Sequence, residues 1–499
     1  MNSIKKNIAY NSIYQMLIII LPIITAPYIS RILGPDGIGT YSYTNTIANY
    51  FILFAMLGLN NYGNRSIAFS KKHKRNLNKT FWEIYAMQVL TSISILILYS
   101  CYAIYVSNNK LISTVQILVV LSALFDINWF FFGMEEFKLI VTRNSVIKIF
   151  TVILIFIFVK SSNDFIKYIL IMSISILYSQ LILWNFLLKR IQFIKPKWQN
   201  IKNHFKSNLV LFIPVIAISL YKIMDKVMLG YMSSVIEVGY YTNSEQIISM
   251  PLGLITALGA VMLPRMSNLI SHGKEKESHI LIEKSMYCIM LLASAFMFGI
   301  AGISNVFIPI FLGIKFNTSI PIVSVLSFTI IFISWANVIR TQYLIPNKKD
   351  KIYIKTVFLG AVVNLILNTL LIPKLGALGA SIGTLAAEIT VCMTQTIMVW
   401  KNLNFKKYFK NGVWFLIFGF VMYLGVKALD YKIKHSLKLL ILEILCGVII
   451  YSFLVILYLI FTKNVMAKEI IKPIVALQQK IKFRSKYKKQ TELDSKKIA

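Results

Sequence analysis

The stretch Met16-Leu17-Ile18-Ile19-Ile20-Leu21-Pro22-Ile23-Ile24-Thr25-Ala26-Pro27-Tyr28-Ile29-Ser30-Arg31 decides the class of this protein. Lys5 and Lys6 stand before it, which gives it the charged start and apolar run of a secretory leader. No A-x-A-like cleavage pattern follows, and many more apolar segments do, so it reads as an uncleaved first membrane span. A helix needs about 20 mostly apolar residues to cross the roughly 30 Å hydrocarbon core. On that measure fourteen spans are expected, near 8–30, 38–62, 80–106, 114–134, 146–160, 166–188 and 208–232, then 241–263, 285–309, 320–345, 354–372, 380–400, 412–427 and 437–461. The fifth and thirteenth are short. Only the Lys-rich tail after 462 is both long and polar, as a disordered segment or a helix lying along an anionic membrane surface would be.

Composition agrees. Hydrophobic residues make up 57% of the 499 and charged ones 14%, against about 25% charged in a soluble domain. That excludes an ordinary water-soluble enzyme. The net charge of +34 could suggest nucleic acid, but most of the chain has no solvated face to carry such a partner, so none is expected and membrane lipid is. With residue 1 in the cytoplasm, 40 of the 53 Lys and Arg fall in inside segments, 10 at outside ends and three within spans. This four-to-one bias follows the positive-inside rule and predicts both termini in the cytoplasm. Residues 427–438 dissent, with four lysines outside. Cys101, Cys288, Cys392 and Cys446 form no C-x-x-C pair and His is scarce, so no metal or other cofactor is expected.

An internal repeat sets the organisation. Leu21-Pro22, Leu33-Gly34 and Ile38-Gly39-Thr40-Tyr41 in the first two spans are matched by Ile213-Pro214, Leu229-Gly230 and Val238-Gly239-Tyr240-Tyr241 in the seventh and eighth. Repeats of this kind are common in secondary transporters and point to a site at their interface. The expected architecture is an all-α, polytopic membrane protein of about 14 transmembrane helices. It divides into a six-helix bundle over 1–206, a pseudo-symmetric six-helix bundle over 207–400, two additional helices over 401–461 and a basic cytoplasmic tail over 462–499.

Polar residues inside spans carry the candidate site, because a charge at the bilayer centre costs about 2.5–3.5 kcal/mol even on lenient scales and so faces a cavity or a partner. Lys222, Asp225 and Lys226 fall at i, i+3 and i+4 on one helix. Asp225 can neutralise one lysine, leaving net positive charge; the cluster serves either an anion-attracting lumen or a snorkelling interface. Arg31, Arg65 and Arg340 are further cationic candidates, where arginine could grip phosphate bidentately. Asp126, Asp225, Glu245 and Glu388 are candidates for charge pairing or for coupling to a proton or sodium gradient. Asn11 and Gln15 on the first span, with Asn45 and Asn49 on the second, form polar stripes suited to lumen lining or to hydrogen bonding between helices. There is no G-x-x-x-x-G-K-[ST] phosphate loop and no H-E-x-x-H, and the one G-x-S-x-G string, Gly379-Ala380-Ser381-Ile382-Gly383, opens an expected membrane span rather than following a strand, so neither an ATP-driven pump nor a hydrolase is expected, and no residue is a catalytic candidate.

Several strings together resemble bacterial polysaccharide repeat-unit flippases of the Wzx type. They are Pro27-Tyr28-Ile29-Ser30-Arg31-Ile32-Leu33-Gly34-Pro35-Asp36-Gly37-Ile38-Gly39-Thr40-Tyr41-Ser42, Gly58-Leu59-Asn60-Asn61-Tyr62-Gly63-Asn64-Arg65, and Asp225-Lys226-Val227-Met228-Leu229-Gly230. A fourth, Gly376-Ala377-Leu378-Gly379-Ala380-Ser381 with Ala386-Ala387-Glu388, is similar to a hairpin shared across the wider superfamily of multidrug MATE exporters and lipid II flippases. The resemblance covers roughly residues 5–460. It implies a V-shaped transporter of the bacterial cytoplasmic membrane that turns undecaprenyl-diphosphate-linked oligosaccharide to the outer leaflet, with a polysaccharide polymerase and a chain-length regulator as partners. Three alternatives stand beside it: an ion-coupled MATE exporter, which would want lumenal carboxylates in excess; a lipid II flippase; and a membrane polymerase, which would want a large outer loop.

Overall fold

The computed structural model describes residues 2–430 and 436–462, without the side chains of 2–16, 18, 19, 411 and several positions between 210 and 222. The basic tail lies outside the described residues. What is described is helical, with no strand among those residues. The first half of the chain forms α1 (Asn2–Met56), α2 (Leu59–Ser70), α3 (Lys74–Cys101), α4 (Lys110–Val115), α5 (Ile117–Phe125), α6 (Asn128–Gly133), α7 (Phe137–Phe158) and α8 (Phe165–Leu187). The second forms α9 (Trp198–Met232), α10 (Val235–Ser271), α11 (Glu275–Phe311), α12 (Ser319–Ser327), α13 (Thr329–Val338), α14 (Asp350–Met398), α15 (Phe405–Asp430) and α16 (Leu437–Thr462).

A straight helix of 55 residues would run about 80 Å at 1.5 Å per residue, far more than a bilayer is thick. α1 breaks at Gly34 (φ 67°, ψ −177°), and α14 breaks at Gly376 (φ 54°, ψ −130°). Positive φ suits glycine, which has no Cβ to clash. Gln395 on the return arm of α14 donates to Thr356 on the outgoing arm at 3.2 Å, so the helix folds back on itself. Among the described residues ten helices are long and apolar enough to cross a membrane. That number takes α14 once and leaves out α1 and α9.

Two expectations about span ends need correcting. The charges of 138–148, most of which fall between the expected spans 114–134 and 146–160, sit inside α7, which already begins at Phe137. The helix continues through them because Arg143 is buried and fully bonded by its neighbours. The fourth span is also interrupted: Asp126 is extended (φ −74°, ψ 98°) and separates α5 from α6.

Two large apolar clusters hold the helices together. One, around Phe81, Trp129 and Phe130, draws only on residues up to Ile201. The other, around Ile255, Met286 and Trp335, draws mainly on residues from Leu229 onward. α1 and α10 meet between them with a fixed offset of two hundred residues. A Cβ added to Gly39 would overlap the Val235 carbonyl, and one added to Gly239 would overlap the Pro35 carbonyl. Ser42 and Thr242 share a hydrogen bond at 2.8 Å. Pro35 with Val235, Gly39 with Gly239 and Ser42 with Thr242 are thus equivalent pairs about a local two-fold. The matched Gly-Tyr elements of the sequence repeat therefore pack on one another, and only glycine permits backbones to come so close.

Candidate functional site

Beside this seam lies a cavity of about 1120 Å³, lined by α1, α7 and α8 and closed by residues of α9 and α10. It runs from Ser30, Ser42, Thr242 and Asn243 at the seam toward Asn60 and Asn61 at the start of α2. Asn243 closes the seam end by donating to Ser30 at 2.9 Å. Ligand pockets commonly span about 300–1,000 Å³, so the space is generous for a drug-sized molecule and far larger than one ion requires. Its wall mixes hydroxyls and carboxamides with aliphatic side chains, and Tyr41 and Tyr168 meet edge-to-face in it at 5.1 Å.

Of the sequence candidates, Lys226, Asp126, Asn45 and Asn49 line this cavity. Asn49 donates to the Asn45 carbonyl at 2.8 Å, while the Asn45 side-chain oxygen is buried without a partner. Lys226 and Asp225, expected in one charged cluster, face different neighbours: Lys226 binds Glu245 on α10 at 2.8 Å. The reason is helical geometry. Adjacent residues project about 100° apart, so Lys226 turns to the cavity while Asp225 turns toward α14. There Asp225 is 5% exposed and accepts from Tyr241 at 2.7 Å, Thr384 at 2.8 Å and Asn368 at 2.5 Å, with the Asn368 side-chain oxygen buried and unpartnered.

Arg31, Arg65, Arg340 and Glu388 are not among the residues that line the cavity. Arg31 is exposed and donates to the Ile310 carbonyl at 2.5 Å, tying α1 to α11 near Gly313. Arg65 is also exposed and lies over the Phe69 ring at 5.7 Å. Arg340 lies over Tyr353 at 5.4 Å, within the π-helical turn Ile339–Leu344 that follows α13. Glu388 sits half-buried on the return arm of α14, one turn before Cys392. In each arginine the long side chain finds a local carbonyl or aromatic face. The side chains of Lys222, Asn11 and Gln15 lie outside the described residues.

Sequence reasoning missed the far wall. Asn144, Lys148 and Thr151 of α7, with Ser179 and Gln180 of α8, all face the cavity. Asn144, Lys148 and Thr151 recur at i, i+4 and i+7, a stripe that would have been visible had 138–148 been read as helix. Behind them Arg143 donates to Asn144 at 2.6 Å, Asn128 at 2.9 Å, the Ser179 carbonyl at 2.7 Å and Gln180 at 3.4 Å. Asn128 in turn donates to Asp126 at 2.7 Å and to Gln180 at 3.1 Å. The named charged residues on the wall are thus Lys148, Lys226 and Asp126, with Arg143 one layer behind.

The model of a family described as "Polysaccharide biosynthesis protein" matches residues 4–270, and that of "Lipid II flippase MurJ" matches residues 144–442. Two curated relatives are each named "Putative O-antigen transporter". The one from Escherichia coli (strain K12) is 25% identical over 80% of this chain and 97% of its own length. The one from Shigella dysenteriae is 26% identical over 78% of this chain and 98% of its own. Among solved structures, a lipid II flippase MurJ in an inward closed conformation superposes with a TM-score of 0.73 at 15% identity, covering 91% of this chain and 99% of that one. An inward-facing MATE multidrug transporter gives 0.57 at 11% identity, covering 78% and 95%. At such identities the structures speak to the fold, which is MurJ- and MATE-like.

Proposed function

Since this chain belongs to the polysaccharide biosynthesis protein family, we propose that it turns undecaprenyl-diphosphate-linked oligosaccharide repeat units across the bacterial cytoplasmic membrane by alternating access. The observation that carries this reading is the cavity: about 1120 Å³, walled by carboxamides, hydroxyls, two lysines and a tyrosine pair, and adjoining the two-fold seam. Hydroxyl- and amide-rich walls suit sugars, tyrosine faces suit the apolar faces of pyranose rings, and lysines offset a diphosphate that would otherwise enter a low-dielectric interior at high cost. The polyprenyl tail stays in lipid, and no covalent bond changes.

In this reading Lys226 contacts the substrate, and Glu245 holds the Lys226 ammonium in place. Both termini are cytoplasmic, and the Gly39–Gly239 seam is the outer closure, with Arg31 bracing it from α11. Transport runs as secondary transport, without an ATPase domain on this chain. The buried Asp225 cluster, with its unpartnered Asn368 oxygen, supports coupling to a sodium or proton gradient. A polymerase and a chain-length regulator act downstream of the flipped unit. Lipid II flipping is the second reading, favoured by the family match over residues 144–442, and it needs the same lipid diphosphate chemistry. Export of cationic drugs fits less well, since the cavity wall carries more lysine than carboxylate.

The test is complementation. Expressed in a strain whose own repeat-unit transporter is deleted, the protein restores surface polysaccharide, and Lys226→Ala removes that restoration while leaving the protein in the membrane. Rescue of a strain depleted of its lipid II flippase, without restored polysaccharide, would shift the assignment to the second reading.

A further inference from the structure

Arginine has only donors, so a carboxamide that bonds to a buried guanidinium must present its oxygen to it. Arg143 is 7% exposed. Its Nε and Nη2 both reach Asn144 Oδ1, at 3.1 and 2.6 Å, and its Nη1 reaches Gln180 Oε1 at 3.4 Å. Asn128 Nδ2 adds a second donor to Gln180 Oε1 at 3.1 Å. The flip state of both carboxamides is therefore fixed by chemistry: their oxygens point at Arg143, and their NH2 groups point away from it. Both residues line the cavity, and neither amide nitrogen bonds to any of the described residues. Lys148, one turn beyond Asn144 on the same face of α7, lines the same wall. An amide is normally an ambivalent partner for a sugar hydroxyl. Here two amides have been stripped of their acceptors and face the cavity as donors.

We propose that Asn144 and Gln180 form an oxyanion subsite on the α7–α8 wall, for which Arg143 is the positioning residue. This rests on the flippase reading only for the source of the oxyanion. A substrate of that kind carries it either as the lipid-linked diphosphate or as the carboxylate of an acidic sugar, and both present the same oxygen-rich, acceptor-only face. Arg143 itself stays behind the wall, its charge answered in part by Asp126 through Asn128. The subsite thus gains donors without placing a bare guanidinium in the cavity.

The test uses full-length protein in lipid nanodiscs, titrated with inorganic pyrophosphate, glucuronate and methyl glucoside, with binding read by calorimetry. Asn144→Asp and Gln180→Glu keep an oxygen for Arg143 and replace the cavity-facing NH2 with a second oxygen. Because both preserve shape, their melting temperatures stay near that of the parent. The parent is expected to bind an anion in preference to methyl glucoside. Each variant is expected to lose about tenfold in that affinity, as removal of a hydrogen bond to a charged group does. Arg143→Lys, which frees the amides to rotate, lowers the anion-to-glucoside ratio as well. A response confined to pyrophosphate assigns the diphosphate, and one confined to glucuronate assigns an acidic sugar. Undiminished anion binding in both isosteric variants overturns the proposal, as does a parent that binds neither anion. These readings stand apart from polysaccharide rescue, so a failed flippase assignment leaves the subsite result intact, and the converse holds too.

Discussion

Asp225 and Lys226 are neighbours in the chain and lead separate lives in the fold, and that separation can be measured. Asp225 accepts three hydrogen bonds in a closed environment. Truncating it removes three buried hydrogen bonds at once and leaves Tyr241, Thr384 and Asn368 to their remaining partners, Thr384 at 2.9 Å, the Ala380 carbonyl at 2.9 Å and Asn364 at 3.1 Å. Asp225→Ala should therefore cost about 3 kcal/mol or more, seen as a clear fall in melting temperature in detergent. Lys226 and Glu245 are 20% and 43% exposed at the side chain. A partly wet pair of this sort contributes up to about 1 kcal/mol, so Lys226→Ala should melt close to the parent while abolishing polysaccharide rescue. Equal destabilisation by the two substitutions would refute the division of labour. The spacing of Lys222, Asp225 and Lys226 was legible as a charged cluster within a span. Which face of the helix met which neighbour was not, because that depends on Tyr241, Thr384 and Asn368, at sequence separations of 16, 159 and 143.

At the level of the helix, the two glycine breaks look alike in sequence and differ in what surrounds them. Gly34 has φ 67°, but an added Cβ would meet nothing nearer than Lys315 Cδ at 3.9 Å. Gly376 has φ 54°, and its Cβ would run into the Glu237 side chain, whose Oε2 accepts from Ala377 N at 2.7 Å and so caps the return arm of α14. Gly34→Ala carries only the conformational cost of left-handed backbone, about 1–2 kcal/mol. Gly376→Ala adds a displaced cap, a further ~1 kcal/mol. Thermal unfolding should rank the parent above Gly34→Ala and Gly34→Ala above Gly376→Ala; the reverse order would show that Glu237 moves aside freely. Leu33-Gly34 and Leu375-Gly376 are readable as turns because a glycine after a long apolar run has a local meaning. The break at Asp126, the π-helical turn Ile339–Leu344 and the hidden Arg143 are not readable in that way. Each is set by bonds to residues on other helices, as when Gln88 of α3 donates to the carbonyls of both Ala123 and Asp126. α7 accordingly looked shorter than it is.

For the molecule as a whole, the α1–α10 seam is the contact that alternating access would have to break. Gly39 against Val235 and Gly239 against Pro35 bring backbone against backbone, and Ser42–Thr242 continues the same register. A transporter that exposes its cavity to both sides in turn must separate these pairs once per cycle. Ser42 and Thr242 hydroxyls lie 2.8 Å apart, and cysteines replacing them would have sulfurs close enough for a disulfide, given the short Cβ separations such a bond requires. In a background with Cys101, Cys288, Cys392 and Cys446 replaced, Ser42→Cys with Thr242→Cys should cross-link on mild oxidation and stop the flipping of a fluorescent lipid-linked sugar in proteoliposomes, with full recovery on reduction. Either single cysteine should transport normally under the same oxidant. Undiminished flipping by the fully cross-linked protein would mean that the seam stays closed throughout the cycle and that the substrate enters and leaves by another route.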